Sequence, residues 1–303
     1  MGAQLRLIRQ RIKSVKSTAK ITRAQELIAS SRVGKARDRA EAAKPYSREI
    51  SKVVSALVSH RMKMNHALLN EQPDTSRVAI LLMTSDRGFC GSYNQSVIKQ
   101  GQALARLCEQ QGKKPVFYVV GRKGAEWFSF RDRAVEGEWT EMSGQPDYPV
   151  AAEIGQLLIE AFDRPTREGG VGEVHVVYTD FVSMLTQQTR VTRILPLEVE
   201  EVEEVVVEGE GRVLPPAPYK FEPSADTVLD VMLEKYVRSL VWQMLLSAAA
   251  AEHAARRTAM MSATENAHEL IEQLTREANT ARQAEITTEI TEIVGGAEAL
   301  KQP

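Results

Sequence analysis

The stretch best equipped for chemistry is TSDRGFCGSYNQ, residues 84 to 95, which follows an apolar run and carries Asp86, Arg87 and Cys90. Loops that follow a strand are where α/β folds usually hold ligands, so a cysteine nucleophile beside an acid and a guanidinium has to be weighed. Two features count against it. A nucleophile elbow needs Gly two residues after the nucleophile, and Ser92 stands there. No histidine is tied by spacing to Cys90 to take its proton. A tight structural turn around a buried thiol is the simpler reading, with a cysteine- or Asp86-dependent enzyme as the alternative.

Other chemistries lack their residues. A phosphate cradle of the GxxxxGK type is missing, and GRKGAEW from Gly121 has the wrong spacing. The glycines at Gly169 to Gly172 precede an apolar run, whereas a dinucleotide loop follows a strand and opens a helix, so a loop or hairpin is expected there. His60, His66, His175, His253 and His268 show no paired metal spacing. His175 sits inside an apolar run and reads as a satisfied sheet histidine. The sequence therefore implies no metal, no cofactor and no direct contact with nucleotide.

The elements around these residues follow two grammars. Between residues 77 and 222 short apolar runs alternate with helical stretches: VAILLMT, then a helix to about Gln111, PVFYVVG, KGAEWFSF, PVAAEIGQLLIEAF and EVHVVYTDF. That alternation predicts a central Rossmann-like α/β domain. One or two edge strands are expected from Gln187 onward, before the Pro-rich LPPAPYKFEPS. Residues 198 to 211 hold seven acids and no base, which suits a solvated loop or edge hairpin.

On either side lie helices, residues 1–60 and 223–303. Leu5, Ile8, Ile12, Val15 and Ala19 recur at alternating steps of three and four, and Pro45 is expected to kink or break the first helix before a second stripe resumes at Ile50. From Ser224, a plausible N-cap, to about Ala299 there is no proline. Its stripe runs through Leu233, Val237, Leu240 and Met244 and is expected to continue on the small residues Ala251, Ala255, Thr258 and Ser262. About 75 helical residues span on the order of 110 Å, whereas a compact chain of this length has a radius of gyration of about 19 Å. An antiparallel coiled coil of the two terminal helices buries both stripes.

Composition bounds the function. The chain of 303 residues has a net charge of −1, but fourteen Lys or Arg face four acids between Met1 and Lys52. A basic helix could meet nucleic acid, yet it has almost no aromatics for stacking and its apolar stripe is needed for its partner helix. The N-terminus alternates apolar and basic residues, and no apolar run is long enough to span a bilayer. Two cysteines without ligand spacing suit a reducing compartment, so cytoplasmic residence is expected.

KITRAQELIASSRVGKA (Lys20 to Ala36) and ITTEITEIVGGAEA (Ile286 to Ala299) resemble the paired end motifs of the bacterial F-type ATP synthase gamma family, and TSDRGFCGSYN resembles its first strand and turn. The resemblance covers nearly the whole chain. It implies a non-catalytic rotor shaft threaded through a hexamer of alpha and beta subunits. It also implies contacts with epsilon, the c ring and, within the complex, delta, on the cytoplasmic face of the cell membrane. Proton-driven rotation would then bias the catalytic sites through different contacts at each orientation. By the same resemblance Arg23, Gln25, Glu26 and Leu27 meet an acidic loop of the catalytic subunits, although methionine is commoner in the family where Gln25 and Leu27 stand. Arg282, Gln283, Thr287 and Glu289 match positions that hydrogen-bond to the catalytic ring, and Arg256 matches a basic position lower on that helix. No regulatory dithiol is implied, because Cys90 and Cys108 lie in one βα unit.

Overall fold

Why the run from Val78 to Met83 can be wholly apolar is answered by what lies on each side of it. In the computed structural model, which describes residues 2–60, 66–70, 72, 75–198, 205–206, 213–214 and 225–299, β1 (Arg77–Met83) is the central strand of a five-stranded sheet. Val78, Ile80 and Leu82 pack on one face with residues of α2 (Tyr93–Gln110) and α3 (Arg122–Ser129). Ala79, Leu81 and Met83 pack on the other with α4 (Tyr148–Asp163), the last turns of α1 (Gly2–His60) and the first turns of α5 (Ala225–Ala299). A strand covered on both faces reads as a continuous apolar run.

The strand order is β3-β2-β1-β4-β5, with β2 (Lys114–Val120), β3 (Gly137–Trp139) and β4 (Glu173–Phe181) parallel to their neighbours and β5 (Gln187–Leu195) antiparallel at the edge. This is the Rossmann-like domain the alternation predicts, with the short β3 added. A separate pair, β6 (Val205–Val206) and β7 (Val213–Leu214), makes an antiparallel hairpin, while most of the acidic stretch and Ser224 lie outside the described residues.

The chain divides into two compact units: residues 1–29 with 256–303, and residues 30–255. Each holds one stretch of both terminal helices. In the first, the Thr22 and Thr264 hydroxyls are 2.7 Å apart. In the second, the Ser47 and Ser239 hydroxyls are 2.9 Å apart. Numbers rise along α1 as their partners fall along α5, so the helices are antiparallel.

Two expectations are corrected. Helix α1 runs through Pro45 without interruption. The proline leaves the Glu41 carbonyl without its usual donor. Pro45 is nevertheless exposed, and the turns after it are fixed by the buried Ser47, Ile50, Val54 and Leu57. On α5 the buried stripe beyond Ala251 does not follow Thr258 and Ser262, which are both exposed, but Glu252, Arg256, Met260 and Thr264. These positions are spaced by successive steps of four, and such a stutter turns the stripe away from strict three-four alternation.

Candidate functional site

The carboxyl end of the parallel strands is where a ligand would enter, at the point between β1 and β4 where the strand order reverses. In this protein that crevice is filled. Cys90 and Tyr93 are buried against Ala251 of α5, with Phe181 packed beside them. The Tyr93 hydroxyl donates to the Ala248 carbonyl at 3.2 Å, and the Ser247 hydroxyl donates to Asp180 at 2.8 Å while accepting the Phe181 N–H at 2.9 Å. The long helix occupies the place of a substrate.

The suspected chemical residues hold the turn together. Asp86 accepts N–H groups from Arg122, Glu141 and Ser143 at 2.8 to 3.1 Å, and its own N–H donates to the Ser143 hydroxyl at 2.8 Å. Burial pushes its pKa up, but the bonds from Ser143, Glu141 and Arg122 outweigh burial and hold the carboxyl below its ordinary range. It therefore clamps the ends of β1, β2 and β3. Cys90 is 2% exposed and lies within a network with Ser85 and Asn94, and burial together with Glu173 pushes the Cys108 thiol up. Neither thiol has the exposed, electropositive setting of a nucleophile. His175 meets Glu173 at 2.9 Å, the satisfied sheet histidine expected of it. Gly121 has a φ of 93°, and a Cβ there would stand 2.3 Å from the Thr84 backbone oxygen, so this glycine is needed for a close strand crossing and not for phosphate.

The residues implicated by resemblance lie on the first unit. Arg23 is exposed and holds both oxygens of Glu26 at 2.7 and 2.8 Å, while Glu26 itself is buried in the helix seam. Gln25 and Leu27 face outward, as do Arg282, Gln283, Thr287 and Glu289. Arg256 is 8% exposed, so it belongs to the interior. The structure does not gather these residues into one site. Counted from the Thr22 and Thr264 pair, Arg282 stands opposite Gln4, the third residue of α1, about 28 Å along the axis from Arg23.

The same register shows a feature that pattern reading missed. Gly2 lies twenty residues before Thr22, and Ala284 lies twenty residues after Thr264, so among the described residues none of α1 stands alongside α5 beyond Ala284. There Ile286, Ile290, Ile293 and Val294 form one helical stripe, each at least 44% exposed. With Leu7, Ile21, Leu27 and Ile28 they make up eight of the sixteen exposed large hydrophobics among the described residues, on a unit of 77 residues. Apolar surface gathered in this way marks an interaction face.

A crevice filled by α5, two buried thiols and an antiparallel pair of long helices with exposed apolar residues define a helix-pair protein braced on an α/β domain. The ATP synthase family model matches residues 4–300. The chain is 51% identical to the ATP synthase gamma chain of Thermobifida fusca over 300 residues, covering 99% of this chain and 97% of that one. It is also 51% identical to that of Saccharopolyspora erythraea over 308 residues, covering 98% of each. This chain belongs to the ATP synthase gamma-chain family. Among solved structures, a chain of the Euglena gracilis mitochondrial ATP synthase shares the fold with a TM-score of 0.67 at 15% identity, over 99% of this chain and 95% of that one. A chain from the central stalk and c ring of the Tetrahymena thermophila enzyme gives 0.56 at 20% identity, over 80% and 99%. Its role is that of the central stalk subunit, and ATP synthesis or hydrolysis belongs to the complex. No helix of the described residues is long and apolar enough to cross a membrane.

Proposed function

We propose that the first unit is the part of the shaft that turns inside the ring of alpha and beta subunits, with the solitary end of α5 as its bearing surface. The observation that carries this reading is the exposed stripe of Ile286, Ile290, Ile293 and Val294 on a helix that α1 no longer accompanies. Surface of that kind costs solubility unless a sleeve covers it. Arg282, Gln283, Thr287 and Glu289 flank the stripe and make the contacts that vary with angle. Arg23, Gln25 and Leu27 form a second contact lower on α1. Glu26 acts through Arg23, and Arg256 acts from within the seam. The segment 77–222 is the domain nearer the c ring and epsilon, and residues 1–60 and 223–303 are the shaft helices. The protein works at the cytoplasmic face of the cell membrane as a peripheral subunit.

The test is truncation after Ala284 in the assembled, membrane-reconstituted complex. Proton-driven ATP synthesis is expected to fall at least tenfold while the subunit remains bound. Wild-type coupling in the truncated complex would overturn the bearing.

A further inference from the structure

Helix α5 is enclosed on every side where it crosses the filled crevice. From Met244 to Ala254 every residue is buried except Ser247, which is half-buried. That is about three turns without an outer face, whereas a helix laid on a surface keeps a polar side. The enclosed turns carry the alanine run from Ala248 to Ala251. Methyl groups let the walls approach closely, but their ridges are shallow and interlock little with the neighbours, so packing alone resists turning about the helix axis only weakly.

Resistance comes from polar contacts that reach α5 from three strand ends. After β1, the Tyr93 hydroxyl donates to the Ala248 carbonyl. At the end of β4, Ser247 donates to Asp180 and accepts from the Phe181 N–H. After β3, Nε2 of His253 donates to the Gly144 carbonyl at 2.8 Å. At about 100° per residue, Ser247, Ala248 and His253 stand about 100°, 140° and 120° apart around the helix, so no half of its circumference lacks an anchor. The loop at Gly144 is itself fixed: Asp86 accepts the Ser143 N–H at 2.8 Å, and Arg39 of α1 donates to the Pro146 carbonyl at 2.9 Å. A Cβ at position 144 would stand 3.2 Å from Cε1 of His253, so the loop already lies close against the ring.

We propose that these strand ends form a collar that keys α5 against rotation about its own axis, with Ser247, Tyr93 and His253 as positioning residues that carry torque between the α/β domain and the rod. The inference rests on the shaft reading. It is tested in the purified full complex, immobilised through its nucleotide-binding subunits, with a bead on Gln100→Cys; Gln100 is exposed and both native thiols are buried. Angular fluctuation of the bead at each pause of ATP-driven rotation reads the torsional stiffness. Tyr93→Phe with Ser247→Ala removes three of the four bonds and little volume, and the angular variance is expected to rise about twofold. His253→Leu should widen it likewise, and His253→Gln, which keeps an N–H donor, should not. Val177→Ala, a cavity on the sheet face turned towards α2, is the control for lost stability. Unchanged variance in Tyr93→Phe with Ser247→Ala, or equal widening by Val177→Ala, would overturn the proposal. Failure of the shaft reading looks different: the bead would then not rotate with ATP at all.

Discussion

The Thr22 and Thr264 hydroxyl oxygens, 242 positions apart in sequence, meet at 2.7 Å inside the helix seam. Each also has a local carbonyl within reach, Ala19 at 3.1 Å and Met260 at 2.8 Å. One hydroxyl can therefore donate across the seam while the other donates to its own helix. Thr22→Val or Thr264→Val removes the cross-seam bond without changing shape and leaves the survivor a carbonyl to satisfy it. Each single change should cost about 1 kcal/mol, and the double variant should cost less than the two added together. A double-mutant cycle of denaturant unfolding reads the coupling; strict additivity would mean the pair does not set the register.

Asp86→Asn replaces an acceptor of three N–H groups with a side chain that has one acceptor oxygen. A loss of about 2 kcal/mol is expected at neutral pH. The carboxyl is held below its ordinary value of 3.8, so its contribution is fully present above that pH and is lost as pH falls through the folded value. The stability gap between wild type and Asp86→Asn should thus be constant from about pH 5 upward and close below about pH 4. A gap that widens in acid would refute the clamp.

Gly121→Ala forces a Cβ to within 2.3 Å of the Thr84 oxygen at a φ of 93°. Backbone cannot yield as a flexible side chain can, so a loss of at least about 2 kcal/mol is expected in thermal unfolding. Nucleotide turnover measured per assembled complex should not change.

Ile290→Asp alters an exposed position on the unaccompanied part of α5. The free chain should unfold within about 0.5 kcal/mol of wild type. In the complex, coupled synthesis should drop several-fold, because the charge would be buried against the sleeve. Equal loss in the free chain would point to a folding defect instead.

Sequence pattern reaches as far as local period does. The runs that became β1, β2 and β4 are rich in apolar residues because both sheet faces are covered, and that signal survives in the residues alone. Gly137–Trp139 is too short to show any period, so β3 became visible only through its pairing with Tyr118 to Val120. Pro45 carries a strong local penalty that packing after Ser47 overrides. The stripe through Arg256, Met260 and Thr264 was hidden because two of those side chains are polar and because it advances by steps of four instead of three-four alternation. Asp86 stood out as chemistry, yet its three donors come from residues 36 to 57 positions away, and only the folded chain reveals them as structural.

The threonines near the end of α5 bear on the kind of wall that can surround it. Thr287, Thr288 and Thr291 each donate to the carbonyl one turn back, those of Gln283, Ala284 and Thr287, at 2.8 to 2.9 Å. Between Glu285 and Val294 these hydroxyls are the only side-chain donors in the sequence, and three glutamates are the only charges. This stretch can accept but has nothing free to give, whereas the first 52 residues of α1 carry a surplus of ten positive charges. The two helices therefore sort their surroundings by sign: donors or bare hydrocarbon around the tip of one, acceptors around the flank of the other.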